Sequence, residues 1–260
     1  MGQGGPCPRC GHKKCYAIRR AKSRCAVCRY EWRDGLPLRL TSREWAGLLR
    51  WFLLGLSGAQ IATQTGLERR RVLRALLRVR TVMAQDVPPI FHGTVEVDET
   101  YVGGQRKNQR KPQRAQATKR GRGTAKTPVF GIRCRGGAVW AQIVPDVQAA
   151  TLWPLIGRRV RPGSTICSDT QQSYTGIAAK GYVHRLVDHT KGEYATGRGT
   201  HINGLEGFWG YLKRQLAAKG GIRRDRLSLY LAEYVWRFNY RHASVLQQRR
   251  RLLTLLRRQP

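Results

Sequence analysis

Two groups of side chains in this sequence have types and spacings suited to chemistry. The first is Cys7, Cys10, Cys25 and Cys28, two C-x-x-C pairs with fourteen residues between them. Each pair can place two thiolates on one ion from a tight turn, and two such knuckles complete the tetrahedral shell that Zn²⁺ prefers. The gap is just under the usual range for this pattern, but a short hairpin fits in it. So few residues cannot build a core, so the metal is expected to supply the folding energy. Cys15 is a spare and His12 an alternative ligand. The second group is acidic: Asp98, Asp169 and Glu206. The chain has 15 Asp and Glu against 49 Lys and Arg, so three chance surface carboxylates at such positions are a poor explanation. A carboxylate on a buried strand needs a cation or a polar partner.

The elements that must position these groups can be read from periodicity. Thr94 to Tyr101 alternates and is β-branched, which predicts a strand with Glu96 and Asp98 on one face and Val95 and Val97 on the other. Val129 to Ile132 and Ala138 to Val144 predict two more strands joined at Gly136-Gly137. Thr151 to Val160 predicts a helix with Leu152, Leu155 and Ile156 inward. Ser164 to Asp169 predicts a strand ending on an acid, and Tyr182 to Val187 a further short one. Beyond His201-Ile-Asn203-Gly-Leu-Glu206, the residues Leu205, Phe208, Trp209 and Leu212 recur at helical spacing. Asp98, Asp169 and Glu206 thus fall on strand, strand and helix.

Upstream, Thr41 or Ser42 caps a helix carrying Trp45, Leu48, Leu49, Phe52 and Leu53. Ser57 opens a second, with Ile61 and Ala62 inward and Gly66 at the turn. A third spans Glu68 to Val82, with Val72, Leu73, Leu76, Leu77 and Val79 as its apolar set. Two helices meeting at a Gly-containing turn suggest a helix-turn-helix, with Arg69, Arg70, Arg71 and Arg74 where a recognition helix touches DNA. The alternative is a small bundle with a solvated basic face.

The formal charge of +34 calls for a polyanion, and nucleic acid is the usual one. Gln105 to Lys126 holds nine basic residues and no acid, which reads as a loop that orders on DNA through Arg106, Lys107, Arg110, Lys111, Arg120 and Arg122. Arg249 to Arg251 and Arg257 to Arg258 suggest a phosphate-facing edge. Tyr101 and Tyr174 are candidates for base stacking or, equally, for the core; His184 and His189 read as surface residues, with His189 also a weaker candidate for DNA contact. No run approaches the length of a membrane span, and Met1 to Pro6 has no apolar core of a signal peptide. A cytoplasmic, nucleoid-associated protein is expected.

The order of three strands, a helix, a fourth strand and a helix bearing an acid resembles the ribonuclease-H-like fold. That resemblance implies adjacent first and fourth strands whose acids meet a carboxylate from the later helix, together holding two Mg²⁺ or Mn²⁺ ions. Hard oxygen donors suit these ions. The segments Val97 to Gly104, Thr127 to Gly131, Ser168-Asp169 and His201-x-Asn203-x-x-Glu206-Gly207-Phe208-Trp209 resemble bacterial insertion-sequence DDE transposases of the ISXO2-like type, over almost the whole chain. The resemblance implies Asp98, Asp169 and Glu206 as the catalytic triad. It also implies Lys213, seven residues after Glu206, as a DNA-end contact. Some relatives use an asparagine as third ligand, which leaves Asn203 as an alternative to Glu206, with His201 as an outer contact.

The expected architecture is an α/β ribonuclease-H-like catalytic domain, a mixed sheet with flanking helices, over residues 88–245, with the basic loop at 105–126. A zinc ribbon (1–36) and a helix-turn-helix domain (37–87) precede it, and a basic helix or tail (246–260) follows. The expected activity is DNA cleavage at terminal inverted repeats and joining to target DNA, by at least a homodimer. The competing readings are a catalytically inactive DNA-binding derivative and a structure-selective nuclease on the same fold.

Overall fold

The computed structural model describes residues 7, 9–18, 22–33, 36–88, 90–103, 126–169, 172–187 and 202–257. The basic loop up to residue 125, and with it Arg106, Lys107, Arg110, Lys111, Arg120 and Arg122, lies outside them, as do His189 and His201. The chain divides into two compact units, residues 1–86 with 240–260, and residues 87–239.

The first unit begins with a three-stranded antiparallel sheet, β1 (Cys15–Ile18), β2 (Lys22–Cys25) and β3 (Glu31–Arg33). Three helices follow. Helix α1 (Ser42–Leu53) starts at a capping box in which Thr41 accepts from the Glu44 amide and Glu44 accepts from the Thr41 amide. Helix α2 (Gly58–Thr65) has a second such box, Ser57 with Gln60, and ends at Gly66 in the left-handed region at φ 68°. A glycine is favoured there because a Cβ is strained at that φ. Helix α3 (Arg69–Gln85) buries Val72, Ala75, Leu76, Val79, Val82 and Met83.

One expectation needs correcting here. Leu73 and Leu77 are exposed, at 49% and 37%; each sits about 100° round the helix from a buried neighbour, so the true stripe passes through Ala75 instead. Of the basic helix or tail expected at 246–260, the described part is a helix. Helix α7 (Val245–Arg257) packs on α1 and α3 through Leu252 and Leu256, and Arg251 Nε donates to Asp86 Oδ2 at 3.1 Å. Asp86 also accepts from the Tyr240 hydroxyl (2.9 Å). Arg251 is therefore committed to an ion pair within the unit.

The second unit is built on a five-stranded sheet in the order β6-β5-β4-β7-β8. Its strands are β4 (Thr94–Val102), β5 (Thr127–Cys134), β6 (Val139–Ile143), β7 (Thr165–Asp169) and β8 (Val183–Val187). The first three form an antiparallel meander; β7 pairs parallel with β4, and β8 parallel with β7. Helix α4 (Ala149–Arg159) makes the crossover and contributes Leu152, Leu155 and Ile156 to a core with Val95, Val97, Phe130, Ile132 and Ile166 on one face. Helices α5 (Asn203–Ala217) and α6 (Leu227–Asn239) cover the other face through Leu205, Phe208, Trp209, Leu212, Leu231 and Tyr234. At the sheet edge Asn239 exchanges two 2.8 Å hydrogen bonds with the Val139 backbone. That occupies part of a ladder an edge strand would otherwise leave open.

Candidate functional site

The four cysteines come together as their spacing predicts. Their sulfurs all lie within 4.8 Å of one another, with Cys7 to Cys28 and Cys10 to Cys25 both at 3.5 Å. Four thiolates at about 2.3 Å from one tetrahedral ion stand about 3.8 Å apart, so the cluster fits Zn²⁺. Local backbone makes it: the Gly11 amide bonds Cys7 O and the Cys7 amide bonds His12 O (both 2.9 Å), while β1 and β2 pair Cys15 opposite Cys25. Cys15 and Tyr30 pack around the cluster. Among the described residues no other group of three or more His, Cys, Asp or Glu is drawn that close.

The acidic group is assembled from distant parts of the second unit. Asp98 lies on β4, half-buried, opposite Gly131 of β5. The parallel ladder pairs Glu96 with Cys167, so two residues further along the same register brings Asp98 alongside Asp169, the last residue of β7. Glu206 stands exposed in the first turn of α5. Burial pushes the Asp98 carboxyl up to about 6; the Glu99 amide and the Trp209 indole pull the other way, and the negative charges of Asp169 and Glu206 push it further up. Three carboxylates thus share one field, and a divalent cation would relieve their repulsion.

The indole of Trp209 donates to Asp98 Oδ2 at 2.9 Å. Gly131 makes this approach possible: a Cβ there would stand 2.6 Å from the Trp209 ring. One turn earlier the buried carboxylate of Glu96 accepts the Leu205 amide at 2.7 Å and lies 3.5 Å from the Arg133 guanidinium. The periodicity of α5 marks Trp209 as a core residue; its polar edge on Asp98 and the contacts of Glu96 carry no signal in spacing.

The remaining candidates are dispersed. Asn203 is the exposed first residue of α5, and Lys213 is exposed two turns beyond Glu206. Arg69, Arg70 and Arg74 are exposed on α3 in the first unit. Arg71 is not free: its guanidinium donates to the backbone oxygens of Leu38 (3.3 Å) and Arg39 (2.7 Å). Of the two readings open for Tyr174 the core position is the one observed: it is fully buried and donates to Glu99 at 2.8 Å. Tyr101 packs against the α4-side core. His184 contacts the Ser168 hydroxyl at 2.9 Å, and burial lowers its pKa.

Residues 90–239 match the ISXO2-like transposase domain, a span that covers the sheet, α4, α5, α6 and all three acids. The chain belongs to this family of insertion-sequence transposases. It is similar to a protein of Haemophilus influenzae described as an uncharacterized transposase-like protein, 37% identical over 108 residues, which are 42% of this chain and 84% of the relative. It is also similar to an uncharacterized protein in transposable element ISH50 of Halobacterium salinarum, 29% identical over 205 residues, 72% of this chain and 68% of the relative. An ISXO2-like transposase is a DNA-processing enzyme by family. No helix among the described residues is long and apolar enough to cross a membrane.

Proposed function

We propose that this ISXO2-like transposase binds the terminal inverted repeats of its element, cleaves their 3′ ends and joins them to target DNA on a ribonuclease-H-like scaffold. The observation that carries the proposal is the convergence of Asp98, Asp169 and Glu206 on one field, from two parallel neighbouring strands and the helix laid across them. The strand order, with β4, β7 and β8 parallel and β5 antiparallel, supports the fold reading.

In this reading Asp98, Asp169 and Glu206 hold two Mg²⁺ or Mn²⁺ ions, with Asn203 as the alternative third ligand. Bound there, such ions would lower the pKa of an attacking water or 3′-hydroxyl and stabilise the leaving 3′-oxygen of an in-line displacement. The chain supplies the positioning. Asp98 is oriented by Trp209, and Asp169 is placed by the β4–β7 register. Glu206 presents its carboxylate from the rim of α5, where DNA can reach it. Lys213, two turns along, faces the same DNA end. The α2–α3 pair acts as a helix-turn-helix with Arg69, Arg70 and Arg74 on DNA, and Zn²⁺ on the four cysteines holds the ribbon that extends recognition. Bringing two ends together requires at least a homodimer.

The test is a strand-transfer assay with zinc-loaded protein, Mg²⁺ and DNA carrying the element's terminal repeats, beside Asp98→Ala. Joined product from the wild type alone is the expected result. Tight binding without cutting in Mg²⁺ or Mn²⁺ would replace the proposal with an inactive DNA-binding derivative, and cutting without joining would replace it with a nuclease.

A further inference from the structure

We infer that Glu96 is a positioning residue that docks the first turn of α5 on β4 and so sets Glu206 against Asp98. The inference rests on the carboxylate triad proposed above. Glu96 shares a face with Asp98, two residues earlier on β4, and that placement alone would suit a further metal ligand. Its contacts assign it otherwise. The side chain is completely buried, at 0% exposure. Its Oε2 takes the Leu205 amide (2.7 Å) and lies 3.5 Å from Arg133 Nη1, while Oε1 lies 4.0 Å from Arg135 Nε. A buried carboxylate persists only where opposite charge and donors compensate it. Two guanidiniums and the positive end of a helix do so here, which leaves Glu96 turned into the protein and engaged.

The helix side of the contact is equally particular. Helix α5 follows Ile202 and has no side-chain cap of its own; its Leu205 amide reaches the Ile202 carbonyl at 3.0 Å and has room for a second, side-chain acceptor. Glu96 provides one from the sheet. Gly204 leaves room for the contact: a Cβ there would stand 1.1 Å from Arg133 Nη1 and 2.8 Å from Glu96 Oε2. One turn on, Trp209 makes the second tie, to Asp98 (2.9 Å). The two ties, at 205 and 209, bracket Glu206. A slip of one residue would turn the helix by about 100° and carry Glu206 away from the other acids.

The test is Mn²⁺ binding to the zinc-loaded full chain without DNA, followed by electron paramagnetic resonance, with thermal unfolding measured in parallel. The proteins are wild type, Glu96→Ala, Glu96→Gln, Gly204→Ala and Glu206→Ala. Glu96→Ala should weaken Mn²⁺ binding by about 10- to 100-fold, the usual cost of losing a group that orients a ligand. Glu96→Gln keeps an acceptor for the Leu205 amide and should recover most of that loss. Gly204→Ala disturbs the same contact from the helix and should weaken binding as well. It carries the test if Glu96→Ala does not fold. Wild-type Mn²⁺ binding in folded Glu96→Ala or Gly204→Ala, with Glu206→Ala impaired, would overturn the inference alone, whatever the loss of thermal stability. Loss of one bound ion in Glu96→Gln would make Glu96 a ligand and overturn it too. Wild-type binding by Glu206→Ala would overturn the triad, and this inference with it.

Discussion

The four thiols of the first unit come from two tight turns joined by one hairpin, whereas the three acids of the second come from β4, β7 and α5. The sulfurs are already within 4.8 Å of one another; the acid oxygens are not all drawn that close. On the proposed function, the contrast follows from what each site would have to do. A structural centre can close on its ion and be satisfied by local backbone. A site that is to admit DNA must keep its carboxylates apart and partly solvated, so its geometry has to be held from outside the ligands. In this chain that support consists of the strand register, Trp209 over Gly131, and Glu96 under the first turn of α5.

The comparison can be broken most decisively at the local centre. Cys7→Ser should abolish stoichiometric zinc binding and unfold the ribbon. Apparent zinc affinities of such small centres amount to about 10–16 kcal/mol, more than a core of this size can replace. Residues 87–239 should keep their own thermal transition, and full zinc retention measured by metal analysis would remove Cys7 from the shell. At the distributed centre, Asp98→Ala or Asp169→Ala should lower end cleavage by on the order of 10²–10³-fold or more with DNA binding nearly intact. Loss of binding in both variants would count against the site assignment.

A smaller effect tests the outside support. Gly131→Ala forces a methyl to 2.6 Å from the Trp209 ring and should cost about 1–3 kcal/mol as an overpacked contact, read by denaturant unfolding. A neutral result would mean that the indole has room to retreat from Asp98.

The smallest effect concerns charge. Without an ion the Asp98 carboxyl is pushed up to about 6, against about 3.9 in an unfolded chain. The folded protein therefore retains a proton that the unfolded chain has released between those values. Stability falls as pH rises through that window, and the cost is fully present above it. Asp98→Asn should accordingly raise the ion-free Tm at pH 7.5 and change it little at pH 4. Added Mg²⁺ should raise the wild-type Tm but not that of Asp98→Asn. A Tm gain confined to low pH would contradict the raised Asp98 carboxyl.

Much of this was legible in the residues. The capping boxes at Thr41 and Ser57, the alternation of β4 and the helical spacing of Leu205, Phe208, Trp209 and Leu212 all led to elements within a few residues of those observed. Leu73 and Leu77 did not follow their pattern, and the residue types alone left open what Arg71, Arg251 and Tyr174 would meet. A run of leucines on one helix does not say which neighbour packs there, and an arginine in a basic run looks the same whether it meets phosphate or a backbone oxygen. Leu38 and Arg39 claim Arg71, Asp86 claims Arg251 and Glu99 claims Tyr174, and each of those partners is remote in sequence or set by the register of the sheet.

By itself the amino-acid sequence determined the local facts of this protein. The two C-x-x-C turns set the thiol cluster, and the excess of Lys and Arg set its charge. Alternation and helical spacing set the strands and helices that carry the acids, because each depends on residues a few positions apart. Only the tertiary structure decided that Asp98 stands beside Asp169, that a glycine at 131 admits an indole, that Glu96 meets the first turn of α5, and that the last described helix belongs with the first three. Those outcomes depend on register and packing between segments far apart in the chain, where a hydrogen bond or a missing Cβ selects one arrangement among several that the same local patterns allow.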